Sequence, residues 1–123
     1  METMKGEPKT TQEKDQAISD LMDSLTIRVK ERYAAGGVWA TGTMGGYRFE
    51  ALVFPEHAES PGFELGDSRI SKLWLLRNSD RTTMVANFDR GWDVKPTEWE
   101  PAVIVDLLAD GLADFVFEGR GQR

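Results

Sequence analysis

The densest polar and aromatic cluster in the chain is Asp89-Arg90-Gly91-Trp92-Asp93. Two carboxylates at that spacing are the makings of an acid/base pair. Arg90 would clamp an anion, Trp92 would give a stacking platform and Glu98 a further acid, a set that suits a small hydrolase. The same residues also describe an ordinary turn, in which Gly91 permits the reversal, Trp92 plugs a sheet–helix seam and Arg90 pairs with a nearby carboxylate. The turn is the simpler reading. His57, the single histidine, has Glu56, Glu59 and Asp67 nearby as conceivable metal ligands, but no EF-hand spacing or His-x-x-x-His pair accompanies them. Ser60, Ser68 and Ser71 lie in no nucleophile-elbow pattern, so a Ser-His-Asp triad lacks support. A solvated loop histidine accounts for His57 more economically. Gly42-Thr43-Met44-Gly45-Gly46 lacks the Lys-Ser/Thr of a phosphate loop and reads as a hairpin turn. The expectation is therefore no catalytic residue, no metal and no cofactor.

Two surfaces suit docking rather than reaction. Asp106, Asp110, Asp114 and Glu118 recur every four residues and form a slowly winding acidic stripe with no Lys or Arg between them. Such a stripe is either a solvated helix face or a surface that steers a basic protein. Trp39 and Trp74 fall on a strand face opposite the inferred core, so that face is either roofed by a helix or left open to a partner or a second copy of the chain.

Composition limits the rest. The chain has 123 residues, 15 Lys+Arg against 21 Asp+Glu for a net charge of −6, and no Cys. That is one domain's length, with no disulfide scaffold, Cys-ligated metal or thiol nucleophile. The acidic balance argues against direct nucleic-acid binding, all the more because Arg48, Lys72, Arg77, Arg81 and Arg90 are spread among acids along the sequence. No apolar run approaches the roughly 20 residues of a membrane span, and the start does not read as a signal peptide, so a cytoplasmic protein is expected.

Positioning these groups needs a scaffold. Residues 1–11 and 120–123 read as tails around a single domain at 12–119, the first of them disordered. Ile18, Leu21, Met22, Leu25, Val29 and Tyr33 share one helical stripe, which predicts a helix over 12–35 ended by Gly36-Gly37. Gly45-Gly46 then predicts a hairpin pairing Met44 with Tyr47, Gly42 with Phe49, Ala40 with Ala51 and Val38 with Val53 on one apolar face. A loop at 55–68 follows, long enough to be either mobile or functional. Residues 69–77 and 82–88 read as a second hairpin around 78–81, with Leu75 meeting Met84, Leu73 meeting Ala86 and Trp74 meeting Val85. Thr97 with Glu100 fits a capping box before a final helix bearing Ile104, Leu107, Leu108, Leu112, Phe115 and Val116. The expected fold is α+β, two layers, with a four-stranded antiparallel sheet of two hairpins in the order α-β-β-β-β-α.

Trp39-Ala40-Thr41-Gly42-Thr43-Met44-Gly45-Gly46-Tyr47-Arg48-Phe49-Glu50-Ala51, Arg69-Ile70-Ser71-Lys72-Leu73-Trp74 and Asn87-Phe88-Asp89-Arg90-Gly91-Trp92 together resemble a small bacterial domain family of unknown function. That family occurs on phage, plasmid and conjugative elements of Gram-positive bacteria. The resemblance spans roughly residues 36–115 and implies an accessory protein of a mobile element, with no catalytic residue to carry over. The leading expectation is a non-enzymatic protein-interaction module, a homodimer being one form of it. The alternatives are a small acidic inhibitor of a basic nucleic-acid-binding host protein, and a hydrolase using Asp89, Arg90 and Asp93.

Overall fold

The structure is a computed structural model that describes residues 4–32, 36–79 and 83–119. The expected tail at 120–123 lies outside the described residues, as do Tyr33, Ala34, Ala35 and Arg81. Six strands form one antiparallel meander: β1 (Thr26–Arg32), β2 (Val38–Met44), β3 (Tyr47–Val53), β4 (Ile70–Arg77), β5 (Met84–Asp89) and β6 (Trp92–Val94). A helix α1 (Thr11–Asp23) precedes them and a helix α2 (Trp99–Asp114) follows, running on into a π-helical turn at Phe115–Gly119.

The four-stranded sheet expected from the sequence is therefore corrected to six strands. One added strand comes from the predicted first helix, which stops at Asp23. Its start is fixed by Thr10, whose hydroxyl accepts the Glu13 N–H at 3.0 Å while the Glu13 carboxylate accepts the Thr10 N–H at 3.2 Å. At its end the Ser24 hydroxyl donates to the Leu21 carbonyl at 2.8 Å. Past that point the β-branched Thr26, Ile27 and Val29 alternate with Arg28 and Lys30, and Ile27 and Val29 pack against the core. The other added strand, β6, is a three-residue edge held to β5 by the Phe88–Trp92 and Asn87–Val94 pairs.

The first hairpin has the register the paired glycines predict, from Met44–Tyr47 through Val38–Val53, with Gly45 at a left-handed φ of 59°. The second is corrected. Leu75 pairs with Ala86, Leu73 with Phe88 and Trp74 with Asn87, a shift of two residues from the expectation, with a bulge between Leu75 and Leu76. A two-residue slip leaves the same side chains on the same face, so alternation alone does not detect it.

Both helices lie on one face. Leu21 of α1, Ile104, Val105, Leu108, Leu112 and Ala113 of α2, and Val116 of the π-helical turn join Val38, Phe49, Val53, Leu73, Leu75 and Phe88 in a single buried cluster. Thr97 makes no capping box; the N-cap is Glu98, which gives no side-chain cap bond and instead pairs with Arg77 at 2.6 Å. The Trp99 N–H donates to the Lys5 carbonyl at 2.8 Å, fastening the segment before α1 against the start of α2.

Candidate functional site

With both helices on one side, the other side of the sheet has no helix over it among the described residues. Alternation along the strands fixes what it presents. From β1 come Thr26, Arg28 and Lys30; from β2, Trp39, Thr41 and Thr43; from β3, Arg48, Glu50 and Leu52; from β4, Lys72, Trp74 and Leu76. β5 adds Asn87 beside Trp74 and Asp89 beside Lys72. Arg28 and Arg48 are exposed, and neither has an ion pair among the described residues. Trp39 and Trp74 are half-buried among their neighbours. Both carboxylates of this face already answer to its cations, Glu50 to Lys30 at 2.8 Å and Asp89 to Lys72 at 3.9 Å and Arg90 at 3.8 Å.

Two concavities lie on the face. One of about 580 Å³ runs between β1 and β4 and is lined by Arg28, Lys30, Thr41, Arg48, Glu50 and Trp74, among others. The other, about 520 Å³, sits where the face meets the 55–68 segment, with Leu52, Phe54 and Phe63 as apolar walls and Arg69, Lys72 and Arg90 at its polar side. Two of the sequence pieces that carry the family resemblance, 69–74 and 87–92, meet at this second cavity. Arg69 and Arg90 both hold left-handed backbones, at φ 65° and 53°, which is uncommon outside glycine. The Arg90 N–H donates to the Ser71 carbonyl at 2.9 Å, which keeps its turn against β4.

The 55–68 segment is an organised loop whose hub is Glu64, one of the four acids of its sequence. Its buried carboxylate receives the Ala58 N–H at 2.7 Å and the Arg69 N–H at 2.8 Å, and lies 2.6 Å from His57 Nδ1. Burial pushes the Glu64 carboxyl up, but the His57 hydrogen bond, the two backbone N–H groups and the His57 charge outweigh it and hold the group below its ordinary value. Local sequence gives no sign of this role, because Glu64 looks like one more loop acid. His57 is thus tied to Glu64. Among the described residues no group of three or more His, Asp or Glu side chains is placed to hold a metal.

The remaining sequence candidates scatter. Trp92 stands edge-on to Phe88, ring centroids 5.3 Å apart, and helps line a recess beside α2 rather than the open face. Asp93 is exposed on the edge strand, while the Arg90 side chain is 61 % exposed. On α2, Asp106 and Asp110 are exposed neighbours. Partial loss of hydration against the helix, then repulsion from Asp110, raises the Asp106 carboxyl. Asp114 leaves the stripe electrically, since Arg69 Nη2 donates to its Oδ1 at 2.6 Å. Glu118 falls in the π-helical turn, its side chain outside the described residues. Because Asp114 is 65 % exposed, an Asp114→Asn variant is expected to lose less than about 1 kcal/mol in urea unfolding, as surface pairs do.

A family model matches residues 38–113, from the start of β2 almost to the end of α2, and its description is a domain of unknown function, DUF7678. The chain belongs to the DUF7678 family. The match takes in the open face from β2 onward and the 55–68 loop, and leaves α1 and β1 outside it. Neither curated proteins nor solved structures give a match to this DUF7678 chain. Among the described residues no helix is long and apolar enough to cross a membrane.

Proposed function

We propose that this DUF7678 chain is a non-enzymatic binding module, an accessory protein of a mobile genetic element, whose working surface is the uncovered face of its sheet. One observation carries the reading: Arg28, Arg48, Lys72 and Arg90 stand with Trp39 and Trp74 on the one side that neither helix covers. A chain of net charge −6 has turned a cationic, aromatic surface outward. The occupant that this charge complements is polyanionic. The acidic-inhibitor alternative relies on the α2 stripe, and Arg69 neutralises one of its four members. The hydrolase alternative needs Asp89, Arg90 and Asp93 to converge, whereas Asp89 pairs loosely with two cations and Asp93 sits on the edge strand.

Heparin serves as a generic polyanion to test the reading. The purified chain should be retained on immobilised heparin at low salt despite its net charge. Arg28→Glu with Arg48→Glu should abolish retention, and Asp106→Asn should leave it unchanged. Flow-through of the unaltered chain at 20 mM salt would defeat the reading.

A further inference from the structure

Resting on that reading, we propose that the occupant is single-stranded nucleic acid, its phosphates met by Arg28, Arg48, Lys72 and Arg90 and its bases laid on Trp74 and Trp39. The acidic balance of the sequence argues the other way, but that balance is an average over a molecule whose fold sorts its charges. Of the cations spread along the sequence, the meander gathers Arg48, Lys72 and Arg90 onto one face with Arg28 and Lys30, while Arg77 turns to the other face to pair with Glu98, and Glu98, Glu100, Asp106, Asp110 and Asp114 belong to α2 or its cap on that opposite side. A phosphate on the open face meets Arg28 and Arg48 at contact range, whereas the α2 carboxylates lie beyond the sheet and the helix layer, where their repulsion is weaker by distance.

Charge alone would equally suit an acidic protein segment, and the aromatic residues decide between them. Trp39 and Trp74 lie two strands apart across the sheet and two residues apart along it, since Trp39 pairs with Leu52 and Leu52 with Lys72, while Trp74 pairs with Glu50. Strand spacing and residue rise place them roughly 12 Å from each other, far enough for the two rings to serve different bases. Cations surround the rings, Arg28 and Lys30 on β1, Arg48 on β3, and Lys72 and Arg90 at the second cavity. Leu52 and Glu50 of β3 lie between the two rings, the Glu50 carboxylate held by Lys30, while Thr41 and Asn87 add hydroxyl and amide groups in the Trp74 row. Rings set among cations hold unpaired bases and their backbone together, and this needs no sequence preference. In a duplex the base faces are already stacked, so the rings would find nothing to cover.

The test is fluorescence anisotropy of labelled 15-mers of dT and U, a duplex of equal length and labelled poly-glutamate, with the full chain at 50, 100 and 200 mM salt. Binding to both single strands is expected, at least tenfold tighter than to the duplex. Affinity should fall with salt at a log–log slope of about −2 to −3, as three or four phosphate contacts give. Trp74→Ala should weaken single-strand binding at least fivefold and leave poly-glutamate binding unchanged, since stacking serves bases alone. Arg48→Glu should flatten the salt slope, with circular dichroism confirming the fold of each variant. Poly-glutamate binding without oligonucleotide binding would overturn the nucleic-acid assignment and leave the binding face standing. Equal affinity for the duplex would overturn the single-strand assignment. Failure of every polyanion, heparin included, would overturn both, as would a dimer in sedimentation that Trp74→Ala dissociates.

Discussion

Replacing Gly42 with Ala is expected to cost about 3 kcal/mol or more of folding stability. An added Cβ would stand 1.8 Å from the Thr26 carbonyl oxygen and 2.8 Å from the tip of the Phe49 ring. Neither neighbour is a flexible side-chain end. Thr26 belongs to the backbone of β1, paired with Thr43, and Phe49 is fully buried. Overpacking a core by a methyl group usually costs about 1–3 kcal/mol through rotamer and backbone shifts, and a backbone oxygen in the way leaves less room for repacking. The least disruptive escape is for β1 to lift from β2, which exposes Ile27 and Val29 and takes Arg28 and Lys30 off the open face. Gly42→Ala should therefore lower the urea midpoint sharply and remove hydrogen-exchange protection from β1 before the other strands. Gly46→Ala is the control: nothing lies within 4 Å of its added Cβ, and a change within about 0.5 kcal/mol is expected. Equal midpoints for the two variants would show that β1 does not pack on Gly42 in solution.

That close approach of β1 to Gly42 is not legible in the sequence, because Leu25, Val29 and Tyr33 continue the helical stripe of the residues before them. Leu25 and Val29 are four apart, a spacing that fits both a period of two and one of 3.6. Ile27 breaks the tie, since it lies off the helical stripe yet on the strand's inner face, but one residue does not overturn a stripe of six. The Gly45-Gly46 hairpin was legible because its turn sets the register locally. The second hairpin failed for the complementary reason: its connection is longer, its turn type is unmarked by glycine, and slipping by two residues preserves both faces. β6 is three residues long, too short for any periodic signal.

The site divides the same way. Trp39 and Trp74 were legible as residues of the non-core face, because alternation in the first hairpin and in β4 places them there. The charge of that face was not. Its first strand falls within the helical stripe of the sequence, which sets Lys30 on a helix surface, and Arg48, Lys72 and Arg90 look dispersed because sequence distance hides strand adjacency. Net charge is a property of composition, whereas the field a partner meets depends on which strands are neighbours. Six strands in simple meander order turn the alternating positions of separate segments into one surface. The same order puts both helices on the other side, where the acids of α2 are.

Replacing Glu64 with Ala should cost about 3 kcal/mol, although the residue belongs to a loop. Glu64 is 7 % exposed, and its carboxylate receives two backbone N–H groups, at 2.7 and 2.8 Å, besides the contact to His57. Its removal leaves the Ala58 and Arg69 N–H groups without their acceptor, at about 1–3 kcal/mol for each group that stays buried. Glu64→Gln keeps one oxygen and turns a donor toward the other partners, so about half the loss is expected. The dependence on pH has a definite sign. The Glu64 carboxyl is held below its ordinary value of 4.5 in the folded chain, so its stabilisation is fully present above about that pH and is lost as pH falls through the folded value. Urea unfolding should show the gap between the wild-type chain and Glu64→Gln at its full size at pH 7 and shrinking below pH 4. The effect on binding follows from position. Glu64 fixes the Arg69 backbone and the 55–68 loop that walls the second cavity, while the concavity between β1 and β4 shares no residue with that loop. Single-strand affinity should consequently fall less in Glu64→Ala than in Arg48→Glu, even though Glu64→Ala is the less stable protein. A Glu64→Ala variant within about 0.5 kcal/mol of wild type at pH 7 would mean that the loop is held by something other than this carboxylate.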